Sequence, residues 1–327
     1  MKAIVCKELG AAENLALEDI SSPELSAGEI LIDMHAGALN YPDYLQIQGK
    51  YQVQPPLPFT CGGEGAGVVA AVADGMTRVK PGDKVIAVGA GAFAEQMKTT
   101  EDYVLPMPEG MDFNTAAGFT TTYGTSYYAL KQRAQLQPGE TLLVLGAGGG
   151  VGTSAVEIGK AMGAHVIAAA SSDEKLELAK QLGADQLYNY GKDGAAGLKN
   201  AVKEMTGGKG ADVVYDPLGD DYSEQALRAT AWNGRFLVIG FAAGDIPKIP
   251  INLTLLKGCS IVGVFWGAFT MTEPEESAKN FGEMLQMIEA GKLNPIITTV
   301  YSMEQYADAF NCLGQRRARG KVIIAIR

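Results

Sequence analysis

The segment LGAGGGVG at residues 145–152 has the residue types and spacing that point most directly to chemistry. It follows an apolar run at 141–146 and precedes apolar residues at helical spacing, so it joins a predicted strand to a predicted helix. The missing Cβ at Gly149 lets a pyrophosphate approach the backbone, and Gly152 permits close packing of helix against strand. The helix N-terminus adds oriented N–H groups and a partial positive charge. The segment is either a dinucleotide-binding turn or a tight connection without a ligand.

The end of the second predicted strand bears on which dinucleotide would bind. NAD sites usually carry an acid there, which accepts a hydrogen bond from the ribose 2′-hydroxyl. Ala170 offers no acceptor, and Asp173 is predicted to lie inside the next helix. Ser171 and Lys175 are able to bind a 2′-phosphate, by hydrogen bond and by charge. These residues favour NADP over NAD, although Ser172 also fits a helix cap and Lys175 an exposed helical lysine.

Short apolar runs alternate with helical segments between about 141 and 266, and these elements would position the glycine-rich turn. The runs are continuously apolar, which is typical of parallel strands buried on both faces. Alternating strands and helices over this length predict a doubly wound parallel sheet, the α/β fold class. The predicted strands lie at 141–146, 165–170, 186–190, 211–216, 235–241 and 260–266.

The first 120 residues have a different pattern. Strand-like runs are separated by the turn signals SAGE, ADGM and KPGD, and helical patterns are scarce. A mostly antiparallel β domain is therefore expected. After Gly267, helical segments at 274–290 and near 303–313 precede a final strand at 321–326.

Length and composition exclude several classes of protein. The 327 residues suggest two domains, and 37 acidic against 27 basic residues give a net charge of −10. This charge argues against binding to nucleic acid or to an anionic membrane. The four Cys are too far apart for a disulfide framework or a zinc ribbon. The chain shows neither a signal peptide nor a membrane span, so a cytoplasmic protein is expected.

Several motifs together resemble the zinc-independent quinone oxidoreductase branch of the medium-chain dehydrogenase/reductase superfamily. They are GGVG at 149–152, GGEGAGVV at 62–69, NYPDYLQIQGKY at 40–51, TTYGTSYYAL at 121–130 and RARGKVII at 317–324. The resemblance implies a GroES-like β-rich catalytic domain at 1–123 and 267–327, interrupted by a Rossmann NADP-binding domain at 124–266. It also implies a homodimer, because the last Rossmann strand, predicted to end at Phe265 and Trp266, commonly pairs across a dimer interface.

The positions that hold catalytic zinc in the related alcohol dehydrogenases carry other residues here. Gly63 stands where those relatives have His, and the run LNY at 39–41 stands where they place a Cys ligand. Cys61 alone cannot complete a tetrahedral site, and it is either a small buried residue or a redox-sensitive thiol. His35 and His165 are expected to be structural. A metal-free enzyme with an already electrophilic acceptor is therefore expected.

The resemblance implies hydride transfer from NADPH to a quinone or an α,β-unsaturated carbonyl. It places Asn40 near the nicotinamide or its ribose, Asp43 where it organises hydrogen bonds, and Tyr51 as a donor to the acceptor oxygen. Asp43 equally fits a turn or cap residue, and Tyr51 a packing aromatic. The alternatives are a reductase of enoyl- or acrylyl-CoA and a non-catalytic NADPH-binding protein.

The predicted cofactor contacts combine the turn, the strand end and positions implied by the resemblance. The resemblance implies an arginine at the cofactor phosphates, and Arg316 matches it. The match is ambiguous by one register because Arg317 and Arg319 are close by, and a solvated basic loop is the alternative. The full set is Thr125 and Phe241 beside the nicotinamide, Gly149, Gly150, Val151 and Gly152 at the pyrophosphate, Ser171 and Lys175 at the 2′-phosphate, Tyr190 at the adenosine ribose, and Arg316 at the phosphates.

Overall fold

The chain enters one unit, leaves it for a second and then returns. The structure is a computed structural model that describes residues 1–327. Met1–Thr121 and Pro295–Arg327 form the first unit, and Thr122–Asn294 forms the second.

The later boundary differs from the one expected at residue 267. Residues 267–294 belong to the second unit because the helix at Pro274–Glu289 is bonded to that unit's own residues. Glu283 accepts hydrogen bonds from the Tyr127 hydroxyl and the Lys131 ammonium, each at 2.6 Å. These hydrogen bonds and the buried Phe281 and Met284 attach the helix to the second unit, and its helical period alone carried no such information.

Sixteen strands form three sheets. They are β1 (Lys2–Cys6), β2 (Leu15–Asp19), β3 (Glu29–Leu39), β4 (Phe59–Thr60), β5 (Glu64–Val72), β6 (Lys84–Val88), β7 (Gln96–Thr100), β8 (Val104–Pro106), β9 (Thr141–Leu145), β10 (His165–Ala170), β11 (Gln186–Asn189), β12 (Ala211–Asp216), β13 (Thr230–Val238), β14 (Ser260–Gly263), β15 (Ile297–Ser302) and β16 (Lys321–Ala325).

Eleven α-helices accompany them, with single 3₁₀ turns at Ala12–Asn14, Glu101–Tyr103 and Met303–Gln305 and a π-turn at Ala129–Arg133. The helices are α1 (Tyr41–Ile47), α2 (Phe113–Ala117), α3 (Thr120–Tyr128), α4 (Gly150–Ala161), α5 (Asp173–Gln181), α6 (Tyr190–Met205), α7 (Asp220–Ala229), α8 (Asn252–Lys257), α9 (Trp266–Thr272), α10 (Pro274–Glu289) and α11 (Tyr306–Gly314). No helix combines the length and the apolar character needed to cross a bilayer.

The first unit is built on β-sheets, as its turn-rich sequence predicts. A seven-stranded sheet has the order β15-β16-β3-β5-β6-β8, with β7 also paired to β3, and a smaller sheet has the order β2-β1-β4. The pairs are antiparallel except for β15 with β16. The long central strand β3 alternates half-buried and buried residues in its first half, which matches a sheet with one face on the core.

The second unit has one parallel sheet with the order β11-β10-β9-β12-β13-β14. Counted along the unit, this is the order 3-2-1-4-5-6 of a doubly wound nucleotide-binding fold, in which the strand order reverses between β9 and β12. Strand β9 is buried along almost its whole length. The predicted α/β class is therefore confirmed, and the turn after β9 lies where such folds bind ligands.

The last strand of this sheet is shorter than the sequence predicts. Strand β14 ends at Gly263, while Phe265 precedes α9 and Trp266 opens it. The Trp266 ring packs against α3, where a Cβ on Gly124 would lie 2.7 Å from it. Trp266 thus packs against a helix instead of extending the strand, while Phe265 is 56% exposed.

Candidate functional site

The turn between β9 and α4 is closed by its own backbone. The Gly149 N–H donates to the Gly146 carbonyl at 2.9 Å, and Gly146 takes the left-handed φ of 60°. A Cβ on Gly152 would lie 2.1 Å from the same carbonyl, so only glycine lets α4 approach this closely. Its first turn, with Gly150 and Val151, contains N–H groups that have no partner in the helix ladder.

Gly149 differs from Gly152 in the space around its Cα. A Cβ at Gly149 would meet no atom closer than 3.5 Å, so the space beside this backbone is open. An open approach to a helix N-terminus suits a pyrophosphate, which is large, anionic and rich in acceptors. The turn therefore fits the phosphates of a dinucleotide.

Lys175 and Ser171 come together at the end of β10. The Lys175 ammonium donates to the Ser171 hydroxyl at 3.4 Å, while its stem lies across Gly148, where a Cβ would be 2.4 Å away. Ser172 also acts as the helix cap, because its hydroxyl accepts from the Lys175 backbone N–H at 3.4 Å. A hydroxyl and an ammonium at one strand end form a suitable pair of donors for a phosphate monoester.

Three more predicted cofactor contacts lie in the second unit. Tyr190 opens α6, and its ring centroid lies 4.7 Å from that of Tyr222. Phe241 is half-buried beside Gly219, where a Cβ would come within 2.9 Å of its ring, and Thr125 is half-buried in α3.

The remaining predicted contact, Arg316, belongs to the first unit. It is exposed just after α11 and adopts a φ of 56°. The described geometry thus brings Ser171 and Lys175 together beside the turn, and leaves Arg316 as a prediction.

A buried ion pair joins Glu64 and Lys321 in the first unit. The ammonium lies 2.7 Å from Glu64 Oε1, and the two side chains are 0% and 6% exposed. Glu64 Oε2 accepts from the Thr120 hydroxyl at 2.5 Å and from the Thr121 N–H at 2.7 Å. Asn40 Nδ2 donates to Oε1 at 2.8 Å, and Asn40 Oδ1 accepts from Lys321. Burial alone would raise the pKa of Glu64, but Lys321 and these hydrogen bonds hold it below its ordinary value.

This cluster fixes the orientation of the Asn40 amide. Its Nδ2 donates both to Glu64 and, at 3.3 Å, to the Ala38 carbonyl, so both side-chain N–H groups are engaged. Its Oδ1 accepts from the Lys321 ammonium and, in the capping box of α1, from the Asp43 backbone N–H. The Asn40 side chain is therefore held by its neighbours through both its nitrogen and its oxygen.

Asp43 caps α1 and is buried. Its Oδ2 accepts from the Asn40 backbone N–H at 2.7 Å. Burial raises the pKa of Asp43 to about 7, although this hydrogen bond and the charge of Lys321 oppose the rise. The cap interpretation is thus correct, and the same carboxyl is able to hold a proton near neutrality.

Tyr51 lies in the same part of the chain and is half-buried. Burial, and then the charge of Asp43, raise the pKa of its phenol. The phenol therefore stays protonated at neutral pH and is able to donate a hydrogen bond.

Sequence reasoning assigned no role to Glu64 or Lys321. Both lie within motifs, GGEGAGVV and RARGKVII, and each is the charged residue that opens an otherwise apolar or small-residue strand. Their position could have indicated a buried ion pair, because a charged residue at the start of a buried strand needs a partner.

The residues present do not fit a zinc ion. No three His, Cys, Asp or Glu side chains anywhere in residues 1–327 are grouped so that they could hold a metal. Cys61 is buried, and desolvation raises the pKa of its thiol well above the ordinary value. His35 stacks on Phe113 with ring centroids 4.0 Å apart, and His165 lies 3.4 Å from Asp185.

Two family models match the chain. Residues 26–109 match "Alcohol dehydrogenase GroES-like domain", and residues 150–290 match "Zinc-binding dehydrogenase". The chain is 37% identical to quinone oxidoreductase-like protein 2 of Rattus norvegicus, over 100% of this chain and 92% of that relative.

Two solved structures share the fold along the whole chain. The quinone oxidoreductase of Thermus thermophilus, whose structures include a complex with NADPH, has a TM-score of 0.85 and 32% identity over 100% of both chains. The CurK enoyl reductase has a TM-score of 0.90 and 26% identity over 100% of this chain and 99% of its own. With such similarity along its entire length, the chain belongs to the zinc-independent quinone oxidoreductase branch of the medium-chain dehydrogenase/reductase superfamily.

Proposed function

We propose that this protein is an NADPH-dependent oxidoreductase that transfers a hydride to a quinone or an α,β-unsaturated carbonyl. One observation carries the proposal. The glycine turn at the N-terminus of α4 has open space at Gly149, and Lys175 packs on this turn while its ammonium donates to the Ser171 hydroxyl just after β10. The NADPH complex of the T. thermophilus relative supports the same cofactor.

The second unit holds the cofactor in this proposal. Backbone N–H groups at Gly150, Val151 and Gly152 bind the pyrophosphate, and Ser171 with Lys175 binds the 2′-phosphate. Reduced nicotinamide supplies the hydride when the cofactor is bound. Further proposed contacts are Thr125, Gly149, Tyr190, Phe241 and Arg316.

The first unit binds the acceptor in this proposal. Tyr51 stays a phenol and donates a hydrogen bond to the acceptor oxygen, where negative charge develops as hydride arrives. Asp43 and Asn40 are positioning residues, because each is bonded to its neighbours through the α1 cap or the Glu64–Lys321 pair. A fixed polar surround of this kind aligns the acceptor without reorganising during the reaction.

Reduction of enoyl thioesters is the second candidate, since the CurK enoyl reductase shares the whole fold at 26% identity. A panel of quinones, enones and enoyl-CoA esters, assayed by NADPH consumption, separates the candidates. We expect the highest kcat/KM with a quinone or simple enone. A far higher kcat/KM with a CoA ester would reassign the acceptor, and NADPH binding without any turnover would indicate a binding protein.

We also propose a homodimer formed through β14. This strand ends the parallel sheet, so one of its edges has no strand partner within the chain. Large apolar side chains around it are exposed, including Trp232 at 71% and Ile261 at 42%. An open parallel edge with apolar neighbours suits pairing with a second copy of the same chain.

A further inference from the structure

Asp173 lies two residues after Ser171, just beyond the end of β10 at Ala170, and both of its carboxylate oxygens are engaged. It is the first residue of α5. Asn189 Nδ2 donates to Oδ1 and Lys192 Nζ donates to Oδ2, each at 2.6 Å. The Asn189 amide is itself oriented, because its Oδ1 accepts from the Gly191 N–H at 2.9 Å.

The backbone beneath these side chains is tightly packed. Strands β10 and β11 pair in parallel with Ala170 opposite Asn189. A Cβ on Gly191 would lie 2.1 Å from the Ser171 carbonyl, so only glycine lets the start of α6 approach the end of β10. The backbone segment that carries Asn189 and Lys192 is therefore held beside Ser171.

Asp173 is a charged group close to the predicted 2′ position. Hydrogen bonds from Lys192 and then Asn189 lower its pKa, so it is ionised at neutral pH. A free carboxylate close to this strand end would accept from a ribose 2′-hydroxyl, which favours NAD, and it would repel a 2′-phosphate. Asp173 is a poor acceptor for the 2′-hydroxyl because both of its oxygens already accept hydrogen bonds. It also repels a 2′-phosphate less, because the Lys192 ammonium balances its charge.

We propose that Asp173, Asn189 and Lys192 form a clamp that makes the adenosine end of the site selective for a 2′-phosphate. The clamp holds the Asp173 carboxylate in a pose where it neither binds the 2′-hydroxyl nor opposes the phosphate. Ser171 and Lys175 are then left to select the phosphorylated ribose. This inference rests on the proposed use of NADP(H).

Removing Lys192 tests the clamp. Lys192→Ala frees one carboxylate oxygen and leaves its charge unbalanced, so the preference for adenosine 2′,5′-bisphosphate over 5′-AMP should fall about tenfold. Adding Asp173→Asn to the same chain removes the repelling charge and should restore most of the preference. Lys199→Ala is the control, because Lys199 is an exposed lysine of the same helix and its loss changes the net charge equally.

The measurement is calorimetric titration of the full chain with the two nucleotides, which requires no turnover. The clamp predicts a reduced ratio of affinities in Lys192→Ala alone. An unchanged ratio in that variant would overturn the clamp. An equally low ratio in Lys192→Ala and in the double variant would also overturn it, since Lys192 would then act on the phosphate directly. Equal binding of both nucleotides by the unmodified chain would instead contradict the NADP(H) proposal.

Discussion

Two buried carboxyls of the first unit differ in protonation because only one has a close cation. Glu64 has the Lys321 ammonium at 2.7 Å and stays ionised. Asp43 has one backbone donor, and burial raises its pKa to about 7. Environment therefore gives the same chemical group two uses, an anion that orients Asn40 and an acid that holds a proton near neutrality.

The raised pKa of Asp43 predicts a pH-dependent stability. The ordinary value of 3.8 applies to the unfolded chain and about 7 to the folded one. Stability from this group is thus complete below the lower value and lost as pH rises through the higher one. Asp43→Asn removes the titration, so its free energy of unfolding relative to the unmodified chain should rise by on the order of 2 kcal/mol between about pH 5 and about pH 8.

Urea denaturation at the two pH values measures this difference. Asp19→Asn is the control, because it removes an exposed carboxyl from the same unit. Parallel stability curves for Asp43→Asn and the unmodified chain would show that Asp43 does not titrate as described.

The Glu64–Lys321 pair predicts a strong non-additive effect. Lys321→Met keeps the stem volume but leaves Glu64 charged and unpaired in the interior, which should cost about 3–5 kcal/mol of unfolding free energy. Glu64→Gln in the same chain removes the orphaned charge and should recover a large part of that loss. Denaturant titration of both single variants and the double variant gives the coupling energy, and additive losses would argue against a coupled pair.

At the scale of elements, two glycines of the β9–α4 turn predict separable effects. Gly152→Ala forces a Cβ to within 2.1 Å of a carbonyl, so it should lower stability by about 2 kcal/mol. Gly149 has an ordinary extended backbone and open space, so Gly149→Val should fold normally and lose NADPH binding. Thermal unfolding and NADPH titration of both variants test this contrast. Undiminished NADPH affinity in Gly149→Val would remove the turn from the cofactor site.

The elements that the sequence predicts well are those marked by a continuous run of apolar residues. Strands β10 and β12 begin and end where their apolar runs do, because parallel strands buried on both faces need continuous apolar residues. Strand β14 stops three residues before its run ends, since Phe265 and Trp266 turn into α9. The Glu64–Lys321 pair joins residues 257 positions apart, and no local pattern can show such a pairing.

The same distinction applies to the candidate site. The glycine turn and the Ser171–Lys175 pair lie within 30 residues of each other and follow from strand–helix punctuation. The cap role of Asp43 follows from its place after Asn40 and Pro42, but its raised pKa depends on burial that only the folded unit supplies. The raised pKa of Asp43, like the Glu64–Lys321 pairing, therefore could not be predicted from the sequence.

At the scale of the whole molecule, the open edge of β14 predicts a dimer of the 34.4 kDa chain. Ile261→Lys places a charge on that edge, where it opposes strand pairing, so the mass in solution should fall to that of one chain. Val300→Lys is the control, because Val300 is a similarly exposed apolar residue, 46% against 42%, on the edge strand β15 of the other unit. Light scattering after size exclusion measures the masses. A monomeric unmodified chain, or a dimer that survives Ile261→Lys, would contradict pairing through β14.

One kinetic comparison tests whether this chain uses NADPH to reduce an electrophilic acceptor. Steady-state oxidation of NADPH and of NADH is measured with 1,4-benzoquinone as acceptor, for the unmodified chain and for Gly149→Val. We expect a kcat/KM at least about tenfold higher with NADPH, because NADH lacks one charge-assisted phosphate contact, and loss of both activities in the variant. Equal kcat/KM with the two cofactors, or turnover that survives Gly149→Val, would contradict this expectation.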